Sequence, residues 1–178
     1  ETVYGLSSEK FNMLKPYIQI SEAFRRKQDT LHFIKKAEKD TLAVYKYPEG
    51  TLVDLNEADT TELKKIPGIG SGIARMIVAY RKRLGGFYDM AQLKEVNYVD
   101  EDMLRWFKLG NAPIHRINAN KAGLDKLRSH PYMNFYQAKV IIEYRRKKGK
   151  LKSLSQLSLY EEFTEKDLER LSHYLAFD

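Results

Sequence analysis

Cysteine is absent from the 178 residues. That excludes disulfide bridges, thiol nucleophiles and cysteine-ligated metals together. Histidine is scarce, and His32, His115 and His173 lie too far apart in the chain for metal-ligand spacing. His130 precedes Pro131 in a turn, where a lone histidine is usually structural. No apolar run approaches the roughly 18 residues of a membrane span. The residues from Glu1 do not begin a signal peptide, so any leader or anchor is expected upstream. No nucleophile–base pair or carboxylate dyad stands out, and the chain is expected to be a non-enzyme.

What remains is a charged, basic, globular sequence. Apolar residues make up 43%, charged residues 31%, and the net charge is +7. That composition fits a folded chain and favours an anionic partner. The surplus is uneven. Residues 53–111 carry 9 Lys/Arg against 9 Asp/Glu, whereas 112–178 carry 13 against 8, concentrated in "YRRKKGKLK" at 144–152.

Three glycines in "KKIPGIGSGIARMIVAYRKR" (64–83) invite comparison with nucleotide-binding loops. A dinucleotide fingerprint needs G-x-G-x-x-G after a buried strand, and a P-loop ends in Gly-Lys-Ser/Thr. Here the spacing is GIGSG, the preceding segment is polar at helical spacing, and Gly72 is followed by Ile73. Neither loop is present.

The organising feature is an internal repeat. Residues 53–108 lie over 117–172 at a constant offset of 64, without a gap. Asn56, Ala58, Leu63 and Pro67 meet Asn120, Ala122, Leu127 and Pro131. Ala74, Ile77, Tyr80, Arg81, Gly85, Gln92 and Leu93 meet Ala138, Ile141, Tyr144, Arg145, Gly149, Gln156 and Leu157. The amino end aligns too: 3–20 matches 160–177, pairing Leu14 with Leu171 and Tyr17 with Tyr174. Residues 1–20 therefore form the end of a further module, and the natural protein is expected to continue upstream. Residues 21–52 form a linker, with a charged helix over 22–39 and a short β-hairpin about Pro48-Glu49-Gly50.

Within the first module, 53–111, Asp59 and Glu62 form a capping box for a helix running to about Ile66. Pro67 ends it, and Gly68 and Gly70 permit unusual backbone angles. A second helix spans 71–84 and stops at Gly85-Gly86, followed by short helices near 89–95 and 101–108. Ile73, Ile77, Tyr80 and Leu84 form its core face, with Ser71, Arg75, Ala79 and Lys82 opposite. The glycines leave amides exposed at the positive end of the helix dipole, a place that accepts an anionic oxygen. The residues alone fit equally a phosphate site and a simple turn between packed helices.

"LNEADTTELKKIPGIGSGIARMIVAYR" resembles the helix-hairpin-helix family, and within it the ComEA-like competence proteins of DNA uptake. The likeness rests on the Asn-x-Ala lead-in, the Leu-x-x-Ile-Pro-Gly-Ile-Gly hairpin and the Ala-x-x-Ile-x-x-Tyr-Arg helix. It implies an all-α fold of tandem helix-hairpin-helix (SAM-like) modules and sequence-independent binding of DNA, expected to be duplex. Gly68, Ile69 and Gly70 would offer backbone contacts to phosphate, with Ser71 and Arg75 beside the same strand and Lys82 further along. No cofactor is expected, although related hairpins can hold a monovalent cation on their carbonyls. An extracytoplasmic location, with any anchor upstream, is also implied.

The pattern is incomplete. The second hairpin of this module reads "EVNYVDEDML", with Asp100, Glu101 and Asp102 at its turn, and its counterpart "YEEFTEKDL" is also acidic. In the second module, 112–178, Tyr132 and Asn134 replace the two hairpin glycines. Lys139 and Arg146 stand where Arg75 and Lys82 do, joined by Lys147 and Lys148 as candidate phosphate contacts. Tyr132, Phe135 and Tyr136 suit either stacking on an unpaired base or an interface core. Two alternatives to uptake follow: a protein-interaction scaffold that kept the fold and lost DNA, with a partner on the second module, or a DNA-binding subunit of a repair or processing complex.

Overall fold

The computed structural model describes residues 8–17 and 45–178. The helix expected over 22–39 lies outside them. The chain divides at residues 43/44. In the amino-terminal unit, helix α1 (Ser8–Leu14) runs into a 3-10 turn, Lys15–Tyr17. The repeat alignment expects a module-ending helix at this point.

The larger unit is helical, with two short parallel strand pairs as its only sheets among the described residues. Asp59 caps α2 (Thr60–Leu63) with its side chain accepting from Thr61 and Glu62 N–H, and Glu62 completes the box. These backbone bonds, Glu62's first, hold the Asp59 carboxyl below its ordinary range. α2 is shorter than expected. Lys65 and Ile66 donate to Glu62 and Leu63, three residues back, so the chain tightens into 3-10 geometry before Pro67.

The long helix α3 (Ser71–Leu84) starts and stops at the expected glycines, with Gly85 left-handed at its end. A 3-10 helix, Met90–Glu95, follows, then α4 (Glu101–Leu104). α4 ends before 108 because Phe107–Lys108 becomes β2, pairing in parallel with β1 (Val53–Asp54). The second module repeats this plan. β3 (Ile117–Asn118), α5 (Leu124–Arg128), α6 (Phe135–Lys148), a 3-10 turn (Leu154–Gln156), α7 (Glu165–Ser172) and β4 (Leu175–Ala176) follow in order. β3 pairs in parallel with β4.

The repeated polar residues are structural. Asn56 bonds both ways with the Phe87 backbone, at 2.8 and 2.9 Å, and Asn120 does the same at Leu151. Arg81 donates to the Leu55 and Ala58 carbonyls, and Arg145 to that of Ala122. All four helix-joining hairpins share one closing bond, from Ile69, Val99, Met133 and Phe163 to the residue three before.

Leu55, Leu63, Ile66, Ile69, Ile77 and Leu93 fill the first core; Leu127, Ile141, Leu151, Leu157 and Leu171 fill the second. Each such side chain contributes about 1.5–3 kcal/mol by leaving water. Tyr174 belongs to the second module yet is fully buried in the first core. Its hydroxyl donates to the Gly86 carbonyl at 2.9 Å and accepts from Gln92 at 2.8 Å.

Residues 45–52, expected as the end of a linker, fold onto the first module. The β-hairpin expected there does not form among the described residues. Thr51 does close a turn onto Pro48, but Tyr47 N–H goes to the Lys65 carbonyl and Val53 N–H to that of Trp106. The helical module offers unpaired carbonyls to each arm, so neither arm pairs with the other.

Candidate nucleic-acid interface

Gly68 and Gly70 act differently from each other. Gly68 has φ +83, and a Cβ there would lie 3.3 Å from the Met103 methyl. The turn needs glycine at this point. Gly70 has ordinary extended angles, φ −93 and ψ 177, with open space where a Cβ would stand. It needs no special conformation, contrary to expectation. What its missing side chain changes is capping: no side chain satisfies the start of α3.

The N–H groups of Gly68, Gly70, Ser71, Gly72 and Ile73 have no hydrogen-bond partner among the described residues. Gly68, Gly70, Ser71 and Gly72 are exposed. Ile69 turns its side chain into the core and spends its N–H on the Ile66 carbonyl, so this expected backbone contact is already committed. Arg75 is exposed, and its guanidinium reaches back to the Ser71 carbonyl at 3.2 Å. A row of free donors and one cation thus faces solvent at the positive end of a 14-residue helix.

The second module closes the same position. Asn134 accepts from Gln137 N–H while Gln137 accepts from Asn134 N–H, both at 2.9 Å. Tyr132 N–H donates to His130 Nδ1. The counterparts of the Gly68, Gly70 and Ile73 amides are thereby occupied.

Tyr132 is also committed. Its hydroxyl donates to Glu95 at 2.7 Å and accepts from Gln92 at 2.8 Å, and the Arg170 guanidinium lies over its ring. Burial, with the bond to Glu95, pushes this phenol up to about 12, so it stays protonated. Tyr132 fills the seam between the modules; it is not placed to stack on a base. Phe135 and Tyr136 are exposed. His130 is buried in the same seam, its Nε2 against the Leu84 carbonyl at 3.1 Å. Burial first, then Arg83 and Lys126, pulls this imidazole down to about 4 against the opposing pull of that carbonyl.

The other expected contacts lie on α6. Lys139 and Lys147 both approach Glu143, at 3.8 and 3.5 Å, and Lys148 lies over the Tyr144 and Tyr160 rings. Arg146 lines a shallow hollow with Arg145 and Lys150. Three of the four are thus engaged by Glu143 or a tyrosine pair.

The acidic turn keeps the hairpin shape with altered chemistry. Tyr98, at the position of Gly68, is left-handed with φ +65 and exposed. Asp100 precedes α4, and Glu101 is paired with Lys94. Carboxylates stand where the first hairpin presents amides.

A basic cleft was not legible in the sequence. Lys82, Arg83, His115, Arg116, Lys121 and Lys126 line a cleft of about 350 Å³ with no carboxylate in its wall. It draws from both modules, so no single stretch announces it. Lys82 sits about 16 Å along α3 from Ser71, at 1.5 Å per residue. A nucleic-acid backbone tracking that helix would meet the free amides first and the cleft last. Among the described residues no helix is long and apolar enough to cross a membrane.

Comparison with known proteins agrees with this geometry. The family model for the helix-hairpin-helix motif matches residues 49–106 and again 113–176. The chain is 27% identical to mouse endonuclease/exonuclease/phosphatase family domain-containing protein 1, over 68% of this chain and 27% of that protein. The Xenopus laevis protein of that name is 25% identical, over 68% and 26% respectively. The Danio rerio protein is 28% identical, over 59% and 23%. The chain spans about a quarter of the length of these curated relatives. No solved structure matches the chain.

Proposed function

The chain belongs to the helix-hairpin-helix family, and from that premise we propose that it binds duplex DNA through phosphate contacts without reading sequence. The observation carrying this reading is the contrast between the two leading hairpins. One presents unpartnered amides at an exposed turn, and the other caps its own amides with Asn134. Gly68, Gly70, Ser71 and Arg75 would hold the first phosphates, with Lys82 and the basic cleft continuing the track. Lys139, Arg146, Lys147 and Lys148 would add general attraction. The chain contributes binding and not catalysis on this reading.

The biological setting has two readings. DNA uptake outside the cytoplasm rests on the ComEA-like residues of the first module. The relatives favour the other: they are named for an endonuclease/exonuclease/phosphatase domain, which suits a DNA-binding part of a repair or processing system. The scaffold reading gives up Tyr132, which is spent inside the chain, and rests on the acidic second hairpin and the exposed Phe135 and Tyr136.

Titrating the chain with duplex and single-stranded oligonucleotides at several salt concentrations tests the proposal. Duplex affinity is expected near 10⁻⁴–10⁻⁶ M, with a log–log salt slope of about −0.9 per phosphate. Gly70→Asn fits the open space and introduces the cap found in the second module. It should leave folding intact, weaken duplex binding several-fold and flatten the slope by about one unit. Unchanged binding by Gly70→Asn would reduce the hairpin to a structural turn. No binding by the parent at low salt would remove the DNA reading altogether.

A further inference from the structure

The inner side of the first hairpin holds a feature that the outer side does not explain. The carbonyls of Lys64, Ile66 and Ile69 converge on a single ammonium, that of Lys46, at 2.6, 3.1 and 3.4 Å. Lys46 comes from the segment before the module, 18 to 23 residues away in sequence. Its three donors meet three acceptors. Neighbouring contacts press the same segment down: Tyr47 N–H donates to the Lys65 carbonyl, and the Lys65 ammonium lies over the Tyr47 ring.

Carbonyl dipoles aimed at one point repel each other unless a cation sits among them, and carbonyl cages can replace the hydration shell of a potassium ion. Related helix-hairpin-helix turns can hold a free monovalent cation on their carbonyls. That group does not fit here while Lys46 is in place, because its ammonium already occupies the converging oxygens. We propose that Lys46 is a built-in substitute for a monovalent cation, making this hairpin independent of potassium or sodium. With the carbonyls held inward, the Gly68, Gly70 and Ser71 amides on the outer side keep their outward aim. The second module lacks the device: Gly110 stands at the offset-64 position of Lys46. The ammonium clamp and the free amides therefore occur together in the same hairpin. Lys46 is a positioning residue, acting through the turn and not on the ligand.

Lys46→Met keeps the unbranched stem of the side chain, one atom shorter, and removes the ammonium with its charge. Thermal unfolding of the full chain, parent and variant, is to be compared in potassium, sodium and tetramethylammonium chloride at one ionic strength. Tetramethylammonium is too large to enter the carbonyl site. The parent should melt alike in all three salts. The variant should melt about 3 °C or more lower in tetramethylammonium and recover at least half the loss in potassium or sodium. Thallium(I), a spectroscopic probe for potassium sites, should show a bound resonance with the variant and none with the parent. A parent that needs potassium, or a variant that neither recovers nor binds thallium, would overturn the proposal. The effect on DNA rests on the function proposed above, and duplex affinity of the variant should recover with the same ions. Failure of both proteins to bind DNA would strike that function alone, since melting and thallium binding decide the role of Lys46 separately.

Discussion

Acidifying the solution from pH 7.5 to 5 should weaken the seam between the modules through one residue, His130. It is buried, with Nε2 donating to the Leu84 carbonyl and Nδ1 accepting from Tyr132 N–H. The bond from Tyr132 requires a neutral imidazole, because a protonated Nδ1 cannot accept; the bond to Leu84 survives protonation and opposes the shift. Burial, aided by Arg83 and Lys126, places its folded-state pKa near 4, against 6.5 when exposed. The folded value is depressed, so His130 lends its full stability above pH 6.5 and loses it progressively as pH falls toward 4. A shift of this size corresponds to about 3 kcal/mol in total, of which about 2 kcal/mol would be lost by pH 5. Urea denaturation at the two pH values measures this directly. His130→Ile, which installs the residue found at the equivalent Ile66, is the control. It removes the titrating group, so its stability should change by about 2 kcal/mol less than the parent's over the same interval. Equal losses in parent and variant would show that protonation of His130 is not what the seam resists.

Three further substitutions probe the packing and the turn. Tyr174→Ala should cost about 3–5 kcal/mol in urea denaturation, because it empties a site that belongs to the first core and takes one partner from Gln92 and the hydroxyl from the Gly86 carbonyl. A loss under about 1 kcal/mol would mean that the modules do not depend on this side chain. Gly68→Ala should cost about 1–2 kcal/mol, from the positive φ and the approach to Met103. Gly72→Ala, in open space inside the first turn of α3, should be neutral or stabilising by up to about 1 kcal/mol. Equal effects of the two would refute the conformational argument.

What the sequence determined alone was everything written in short-range interactions. The Asp59–Glu62 box, the Pro67 stop, the start of α3 at Ser71 and its end at Gly85 depend on residues within about four positions of one another. The repeat of 64 carried these signals from one module to the other. That made the all-α tandem fold readable, and made Asn56, Arg81 and their partners visible as a set.

Tertiary structure decided how each hairpin is used. Tyr132 and Asn134 look in sequence like the loss of a site. In the structure one residue joins the modules and the other caps a helix. Lys46 sat in an expected linker, yet its ammonium reaches the hairpin carbonyls across 18 to 23 residues. Tyr132 meets Gln92 across 40 residues, and Tyr174 meets Gly86 across 88. The basic cleft assembles charges from both modules. Such contacts have no local signature, because they form only when burial of apolar surface brings distant segments together. Their partners are chosen by which backbone groups the helices leave unpaired at that depth, a property of the packed chain.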